Sequence, residues 1–338
     1  MTAMQDHDVL VEVTRRAREL TDPLLRAAVD RMGPELAGIG GYHFGWCETG
    51  APGGKSVRPA LAVLAAEAVG GTGEQAAPAA AAVELVHNFS LVHDDIIDHD
   101  ERRRGRPSVW AVHGVPAAIL IGDALQAAAF EVLLGAGPRA SATGERLAVA
   151  LREVVVGQVQ DIGFTGRPWL GPDAVTRAEY QAMAEAKTGA LLSFAACAGA
   201  ELAGADEAAV AAFDRLARHL GLAFQCTDDV LGIWGDPAVT GKPVHGDLRE
   251  GKRSLPVIAA LSTGGPAAAE LAALLDDPEA DLELTARIVE DRGGRQFAEQ
   301  EAARHLAAVA AALDELTVPP PVRTALDALT GSLIGRTR

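Results

Sequence analysis

The sequence predicts an all-α fold, a large helical bundle, and three observations carry that expectation. Aromatic residues make up only 4% of the 338, so few segments offer the β-branched and aromatic side chains that strands favour, whereas Ala and Leu, which are abundant here, favour helix. Several helical patterns are apolar nearly all round, as expected of helices buried at the centre of a large bundle. No segment repeats at a period of about 20 to 50 residues, which argues against a solenoid. Composition does not shift sharply anywhere, so residues 1–338 are expected to form a single domain.

Taken in chain order, helical patterns run over 8–20, 22–37, 57–69, 75–99, 116–134, 143–163, 173–201, 206–235, 255–263, 282–290, 294–316 and 321–335. Gly- and Pro-rich segments separate them at 38–54, 70–73, 166–172, 235–251 and 319–321. The first and fourth of these are long, and long ordered loops in compact domains are usually functional. After about residue 264 the chain is an alanine-rich helical tail with little chemical information.

Composition excludes several function classes. Apolar residues reach 49%, far too many for disorder. With 30 Lys and Arg against 46 Asp and Glu the formal charge is −16, which repels phosphate backbones and anionic lipid unless basic residues are locally concentrated. A nucleic-acid partner is therefore not expected. Cys47, Cys197 and Cys226 are odd in number and widely spaced, which suits a reducing cytosol better than a disulfide framework or a thiolate zinc site. The start lacks a basic stretch followed by an apolar one, so no secretion signal is expected. No apolar run reaches the roughly 18 residues of a membrane span, because Asp123 interrupts 115–136. A soluble, cytoplasmic protein is the expectation.

Chemistry concentrates in two acidic helix ends and the basic residues around them. In His93-Asp94-Asp95-Ile96-Ile97-Asp98, Asp94 and Asp98 stand four apart on one helical face, where like charges cost a few tenths of a kcal/mol unless a cation compensates. Oxygen-only ligands on one face suit Mg²⁺, which prefers a few carboxylates plus water and substrate phosphates. A solvated acidic helix end is the plain alternative. Acid at a helix C-terminus opposes the macrodipole, however, and the preceding turns look buried. Arg102-Arg103-Arg104-Gly105-Arg106 follows directly, and arginine is the side chain for bidentate phosphate recognition.

The second acidic end is Phe224-Gln225-Cys226-Thr227-Asp228-Asp229, with Gly232 four residues after Asp228. Lys242, Asp247, Lys252 and Arg253 follow in the long loop. Two such ends, each followed by cations, suit the clamping of one polyphosphate through shared metals. Gly53-Gly54-Lys55-Ser56-Val57-Arg58 sets Lys55 and Arg58 across a helix start, where free N–H groups favour an anion, without the spacing of a P-loop. Lys187-Thr188-Gly189 lies in an apolar helical stretch, where an unpaired lysine is expensive and a ligand phosphate is the economical partner.

With these segments in order, the chain resembles the trans-isoprenyl diphosphate synthases, or polyprenyl synthetases. The matching segments are GGKSVRP at 53–59, VELVHNFSLVHDDIID at 83–98 with RRG at 103–105, GQVQDI at 157–162, KTG at 187–189, FQCTDD at 224–229, and GDPAVTGKP through GKRSLP. They span roughly 38–260. The resemblance implies a helical fold around a deep central cavity, a homodimer, and condensation of isopentenyl diphosphate with allylic diphosphates such as dimethylallyl, geranyl and farnesyl diphosphate. It implies that Asp94, Asp98 and Asp228 are Mg²⁺ ligands, three ions per site, supported by Asp95 and Asp229. It implies that Arg103, Lys187, Thr188, Gln225, Lys242 and Lys252 grip the allylic diphosphate. Lys55, Arg58, His87 and Arg104 would form the isopentenyl diphosphate site, His87 by the resemblance alone. The sequence departs from the family where the second motif, usually DDxxD, ends in Gly232, with Asp236 a further turn on.

Several readings therefore compete. A class I terpene cyclase would share the fold but needs a second motif of the type (N/D)DxxSxxxE, absent from 228–236, and has no use for Lys55 and Arg58. A non-catalytic partner subunit is suggested by Gly232, but every basic position is retained. For product length, Phe89 stands five residues before Asp94 and Ser90 four before, in the stretch that forms the floor of the elongation tunnel in this family. A helical turn rises about 5.4 Å, close to one isoprene unit. Small Ser90 would pass a fifteen-carbon chain and Phe89 would stop it one unit later, so geranylgeranyl diphosphate is the expected product and farnesyl diphosphate the alternative.

Overall fold

The computed structural model describes residues 3–46, 54, 56–237 and 244–334. Among them the chain is all-α apart from one short hairpin. In order the elements are α1 (Ala3–Asp30), α2 (Pro34–Phe44), α3 (Val57–Ala68), α4 (Gly73–Ile97), β1 (Arg102–Arg103), β2 (Arg106–Pro107), α5 (Val109–His113), α6 (Val115–Leu134), α7 (Ala140–Thr165) and α8 (Arg177–Ala184). A π-helical turn at Glu185–Gly189 leads into α9 (Ala190–Ala203) and α10 (Glu207–Trp234). The remainder is α11 (Gly246–Arg249), α12 (Leu255–Leu261), α13 (Gly265–Asp276), α14 (Leu282–Asp291), α15 (Gly294–Asp314) and α16 (Pro320–Ile334).

Three boundaries differ from the periodicity reading, each for a local reason. The first two expected helices are one, because α1 runs through Pro23. Proline in a helix interior costs about 3 kcal/mol, which burial of Ala17, Leu25, Ala28 and Val29 on the same helix offsets. The break comes instead at Gly33, whose φ of +89° suits glycine, with Pro34 opening α2. The expected helix 173–201 is interrupted: Thr176 and Glu179 form a capping box at the start of α8, and the π turn separates α8 from α9. The alanine-rich helical tail contains one helix beyond those expected, α13, opened by Gly265-Pro266. Helix α6 also qualifies, by length and composition, as able to cross a membrane, with a mean hydropathy of 1.7 that tolerates Asp123. Its inner face, including Ile121, Gly122, Leu125, Ala129 and Leu133, is buried.

The chain divides into two compact units, each gathered from three segments. The first comprises residues 1–151, 194–214 and 316–329. Here α4 packs along α6, α3 and α1. Its start is fixed by the capping box of Thr72 and Gln75, and Ala76, Ala80, Val83, Leu85 and Val86 are buried. Close packing is bought with small residues: a Cβ on Gly122 would lie 2.2 Å from His93 Nε2. The second unit comprises 152–193, 215–315 and 330–338. In it α12 packs on α15, and Phe164, Tyr180, Met183, Leu222, Val230, Leu255 and Ile258 share one apolar cluster. Cys197 and Cys226 are buried free thiols, and Cys47 lies outside the described residues.

Candidate active site

In the first unit the acidic segment is the last turn of α4. Asp94 is half-buried, Asp98 is exposed, and the Asp98 N–H donates to the Asp94 carbonyl at 2.8 Å, so the two side chains share one helical face. Asp95 points inward and is 1% exposed. Its Oδ1 accepts from Arg103 Nε at 2.6 Å, while its Oδ2 is buried without a hydrogen-bond partner. Burial raises the Asp95 pKa and the Arg103 guanidinium opposes the rise. An orphaned carboxylate oxygen costs free energy unless a ligand or cation satisfies it.

The arginine run is the hairpin. Arg102 pairs with Pro107 and Arg103 with Arg106, and the turn residues Arg104 and Gly105 both have positive φ, +51° and +78°. Two consecutive positive φ values make the tight turn whose twist matches antiparallel strands, and glycine supplies the second at no steric cost. The turn thereby aims Arg104 inward, where burial lowers its pKa and Glu84 opposes. Arg58, at the start of α3, is in the same condition: its Nε is buried without a partner, burial lowers its pKa, and Glu84 again opposes. His87 is held well below its usual pKa by burial and by Arg58, Arg104 and Arg103. A neutral imidazole among three guanidinium groups donates or accepts hydrogen bonds without adding charge. Two desolvated guanidinium groups sharing one carboxylate, Glu84, with the Arg58 Nε bond unmade, favour an added anion.

Lys55 lies outside the described residues. Arg18 of α1, unsuspected from sequence, donates to Ser56 Oγ at 2.8 Å and to the Gly54 carbonyl. Glu84 lies in the matching segment 83–98, but nothing in the sequence shows that it faces Arg58 and Arg104. Phe89 is buried and its ring meets that of His93 edge-on at 4.8 Å, one helical turn on. Ser90 Oγ donates to its own helix at the His87 carbonyl, 2.8 Å away, leaving little polarity to present to an apolar chain.

His43 supplies a stability prediction. It is buried, its Nε2 lies 3.0 Å from Asn88 Oδ1, and its pKa is pushed down to about 3 by burial and by Arg104. The unfolded chain binds a proton on this residue below about pH 6.5 and the folded chain does not until about pH 3, so stability falls as pH falls through that window. Thermal melting at pH 5 is expected to show about 2 kcal/mol less stability from His43 than at pH 7. His43→Gln should flatten that part of the profile; an unchanged slope would refute the assignment.

In the second unit the acidic pair sits late in α10. Asp228 is half-buried. Asp229 is buried: Oδ2 accepts from Tyr180 Oη at 2.6 Å and from the Leu255 N–H at 2.7 Å, and Oδ1 accepts from Gln225 Nε2 at 2.9 Å. Burial and the Asp247 carboxylate push its pKa up to about 7, against those three donors. Asp229 therefore fixes α10 to α8 and α12 and positions its neighbour Asp228. Gln225 also accepts from Thr188 Oγ1 at 3.0 Å. Both ends of its amide are thus engaged within the protein.

Lys187, in the π turn, is paired with Asp161 of α7. The sequence showed the segment around Asp161 but not this role. Close backbone approach positions the turn, since a Cβ on Gly157 would lie 2.4 Å from Lys187 N and one on Gly221 2.5 Å from Gly189 Cα. Such π turns widen a helix locally and frequently occur at functional sites. Lys252 Nζ lies 3.4 Å from Asp247 and 2.7 Å from Glu250; burial works against its charge, but the two carboxylates hold its pKa above the usual lysine value. Lys242 lies outside the described residues.

A divalent cation fits this donor set. Among the described residues no three His, Cys, Asp or Glu side chains converge into a ready-made cage. Magnesium prefers one or two carboxylates plus water and substrate phosphates, which is what the half-buried Asp94 and exposed Asp98 on one face offer.

Comparison with known proteins agrees with the chemistry. The polyprenyl synthetase family pattern matches residues 47–291. A geranylgeranyl diphosphate synthase of Mycobacterium tuberculosis is 44% identical over 316 residues, covering 90% of this chain and 89% of that protein. A (2E,6E)-farnesyl diphosphate synthase of Mycobacterium bovis is 45% identical over 303 residues, covering 86% and 83%. Among solved structures, a polyprenyl synthetase from Streptomyces coelicolor A3(2) superposes with a TM-score of 0.88 at 45% identity, covering 96% and 99%. A polyprenyl synthase from Caulobacter crescentus CB15, complexed with calcium and isoprenyl diphosphate, gives 0.83 at 31% identity, covering 98% and 97%. With its acidic helix ends, its buried arginines and these likenesses over nearly its whole length, the chain belongs to the polyprenyl synthetase family of trans-prenyl diphosphate synthases.

Proposed function

We propose that this protein is a Mg²⁺-dependent prenyltransferase condensing isopentenyl diphosphate with dimethylallyl, geranyl and farnesyl diphosphates to give geranylgeranyl diphosphate. The observation that carries the reading is the pair of unmade contacts in one unit: Arg58 Nε and Asp95 Oδ2, both buried without a partner. One calls for an anion and the other for a cation or donor; isopentenyl diphosphate supplies the first and the metals brought by the allylic diphosphate supply the second.

In this reading Asp94, Asp98 and Asp228 hold the divalent ions, three per site, and the ions when bound neutralise the charge that develops on the departing diphosphate. Arg103, Lys187, Thr188, Lys242 and Lys252 hold the allylic diphosphate, with Gln225 positioning Thr188 and Asp229. Lys55, Arg58, Arg104 and neutral His87 hold isopentenyl diphosphate. The allylic C–O bond breaks with its electron pair leaving on diphosphate, the isopentenyl double bond attacks the allylic cation, and the proton then lost passes to the released diphosphate. The chain's part is to orient both substrates and keep water from the cation. The purified protein with Mg²⁺, isopentenyl diphosphate and an allylic primer is expected to release diphosphate; no release with any of the three primers would sink the assignment.

Product length rests on Phe89, buried about 7.5 Å along α4 from Asp94. Phe89→Ala is expected to shift the product from twenty to twenty-five carbons or longer by chromatography, and an unchanged distribution would remove Phe89 as the floor. A twenty-carbon stop, rather than fifteen, is favoured by the small Ser90 with its hydroxyl turned to its own helix. The reading includes one synthase domain over residues 1–338, a homodimer and a cytoplasmic setting. Exposed Ile119 and Leu120 on α6 support the dimer and the free thiols of Cys197 and Cys226 support the setting.

A further inference from the structure

The second acidic motif lacks its final carboxylate in sequence, and the fold returns one from elsewhere. Gly232 stands four residues after Asp228, on the helical face where an aspartate would repeat the spacing of Asp94 and Asp98. Its φ is not positive, so helix geometry does not require glycine there. The side-chain space is already taken: a Cβ on Gly232 would lie 2.1 Å from Asp247 Oδ2, 2.4 Å from Asp247 Cγ and 2.8 Å from Oδ1, so that carboxylate would have to swing aside to admit one. In an aspartate at 232 the carboxyl carbon would itself lie about 1.5 Å from that Cβ. The Asp247 carboxylate thus fills the volume that the missing side chain would occupy.

Its placement is built rather than incidental. Asp247 opens the short α11 and is buried. The segment is tied to the end of α10 by the His245 N–H donating to the Ile233 carbonyl at 3.1 Å, and it closes with the Lys252 N–H donating to the Asp247 carbonyl at 2.9 Å. The carboxylate lies 3.4 Å from Lys252 Nζ and close enough to Asp229 to disfavour ionisation there. A second negative charge is thereby delivered to the end of α10, one turn beyond Asp228.

We propose that Asp247 is the positioning carboxylate of the second acidic motif, taking the place of the aspartate absent at Gly232, whose side-chain space it occupies. The proposal rests on the synthase reading. Asp247 acts through its neighbours: it holds Lys252 and completes the negative field in which Asp228 binds a divalent cation with diphosphate. An outer-shell carboxylate of this kind typically contributes about tenfold or more to metal affinity.

The test moves the carboxylate. Mg²⁺-dependent binding of inorganic diphosphate is measured by calorimetry, beside metal-free melting, for wild type, Asp247→Asn, Gly232→Asp, and the exchange Gly232→Asp with Asp247→Gly. Wild type binds; Asp247→Asn melts as wild type and binds about tenfold more weakly; Gly232→Asp, with two carboxylates in one space, melts lower. The exchange restores both melting and binding to within about threefold of wild type. A folded Asp247→Asn that binds like wild type overturns the proposal. So does an exchange variant that folds but binds no better than Asp247→Asn, or one that fails to fold, since the two carboxylates would then not be interchangeable. Wild type that binds no diphosphate with Mg²⁺ overturns instead the synthase reading beneath.

Discussion

Asp94→Ala is expected to lower diphosphate release by at least about 10³-fold, because it removes a proposed metal ligand where the leaving group's charge develops. Folding should not suffer. Asp94 is half-buried at the C-terminal turn of α4, where a negative charge opposes the helix macrodipole and repels Asp98 four residues on. The metal-free variant should therefore melt at or slightly above the wild-type temperature. Loss of turnover with an intact melt would isolate a binding role, whereas turnover within tenfold of wild type would exclude Asp94 as a principal ligand. Asp95→Ala should behave differently, since it strands the half-buried Arg103 guanidinium and costs stability as well as activity.

Gly221→Ala is expected to cost about 3 kcal/mol and to lower the melting temperature by on the order of 5 °C. In an unobstructed helix the same change would stabilise by up to about 1 kcal/mol. The sign reverses because the added Cβ would lie 2.5 Å from Gly189 Cα and 2.8 Å from Gly189 N, which are backbone atoms and cannot swing aside. What must move is the π turn carrying Lys187 and Thr188, so the KM for the allylic diphosphate should rise along with the loss of stability. A variant with wild-type melting and KM would show that α10 and the π turn yield without cost. The same argument applied to Gly199, whose Cβ would meet the Ala62 carbonyl oxygen at 2.2 Å, predicts loss of stability far from the proposed ligands.

How legible the site was depended on how far apart its partners lie in sequence. Asp94 with Asp98 and the arginine run were readable because helical spacing and local charge are properties of adjacent residues. Tyr180 and Asp229 are separated by 49 positions and Lys187 and Asp161 by 26. No local pattern announces such pairs, and only the packing of α8, α7 and the π turn against their neighbours creates them. The helix break expected just before Pro23 and absent from α1 has the same origin, since propensity is local while the burial that overrides it is not.

The sequence by itself determined the helical class, the two acidic helix ends and the local excess of cations that lets a chain of charge −16 receive a diphosphate. Each of these follows from side-chain type and spacing along a helix. Tertiary structure decided what the charges do. It buried Arg58 and Asp95 with contacts unmade, turned Gln225 into a bridge between Thr188 and Asp229, and set Asp247 into the space left by Gly232. The reason is physical: desolvation and steric exclusion depend on which segments meet in space, and neither can be read from the residues on one segment alone.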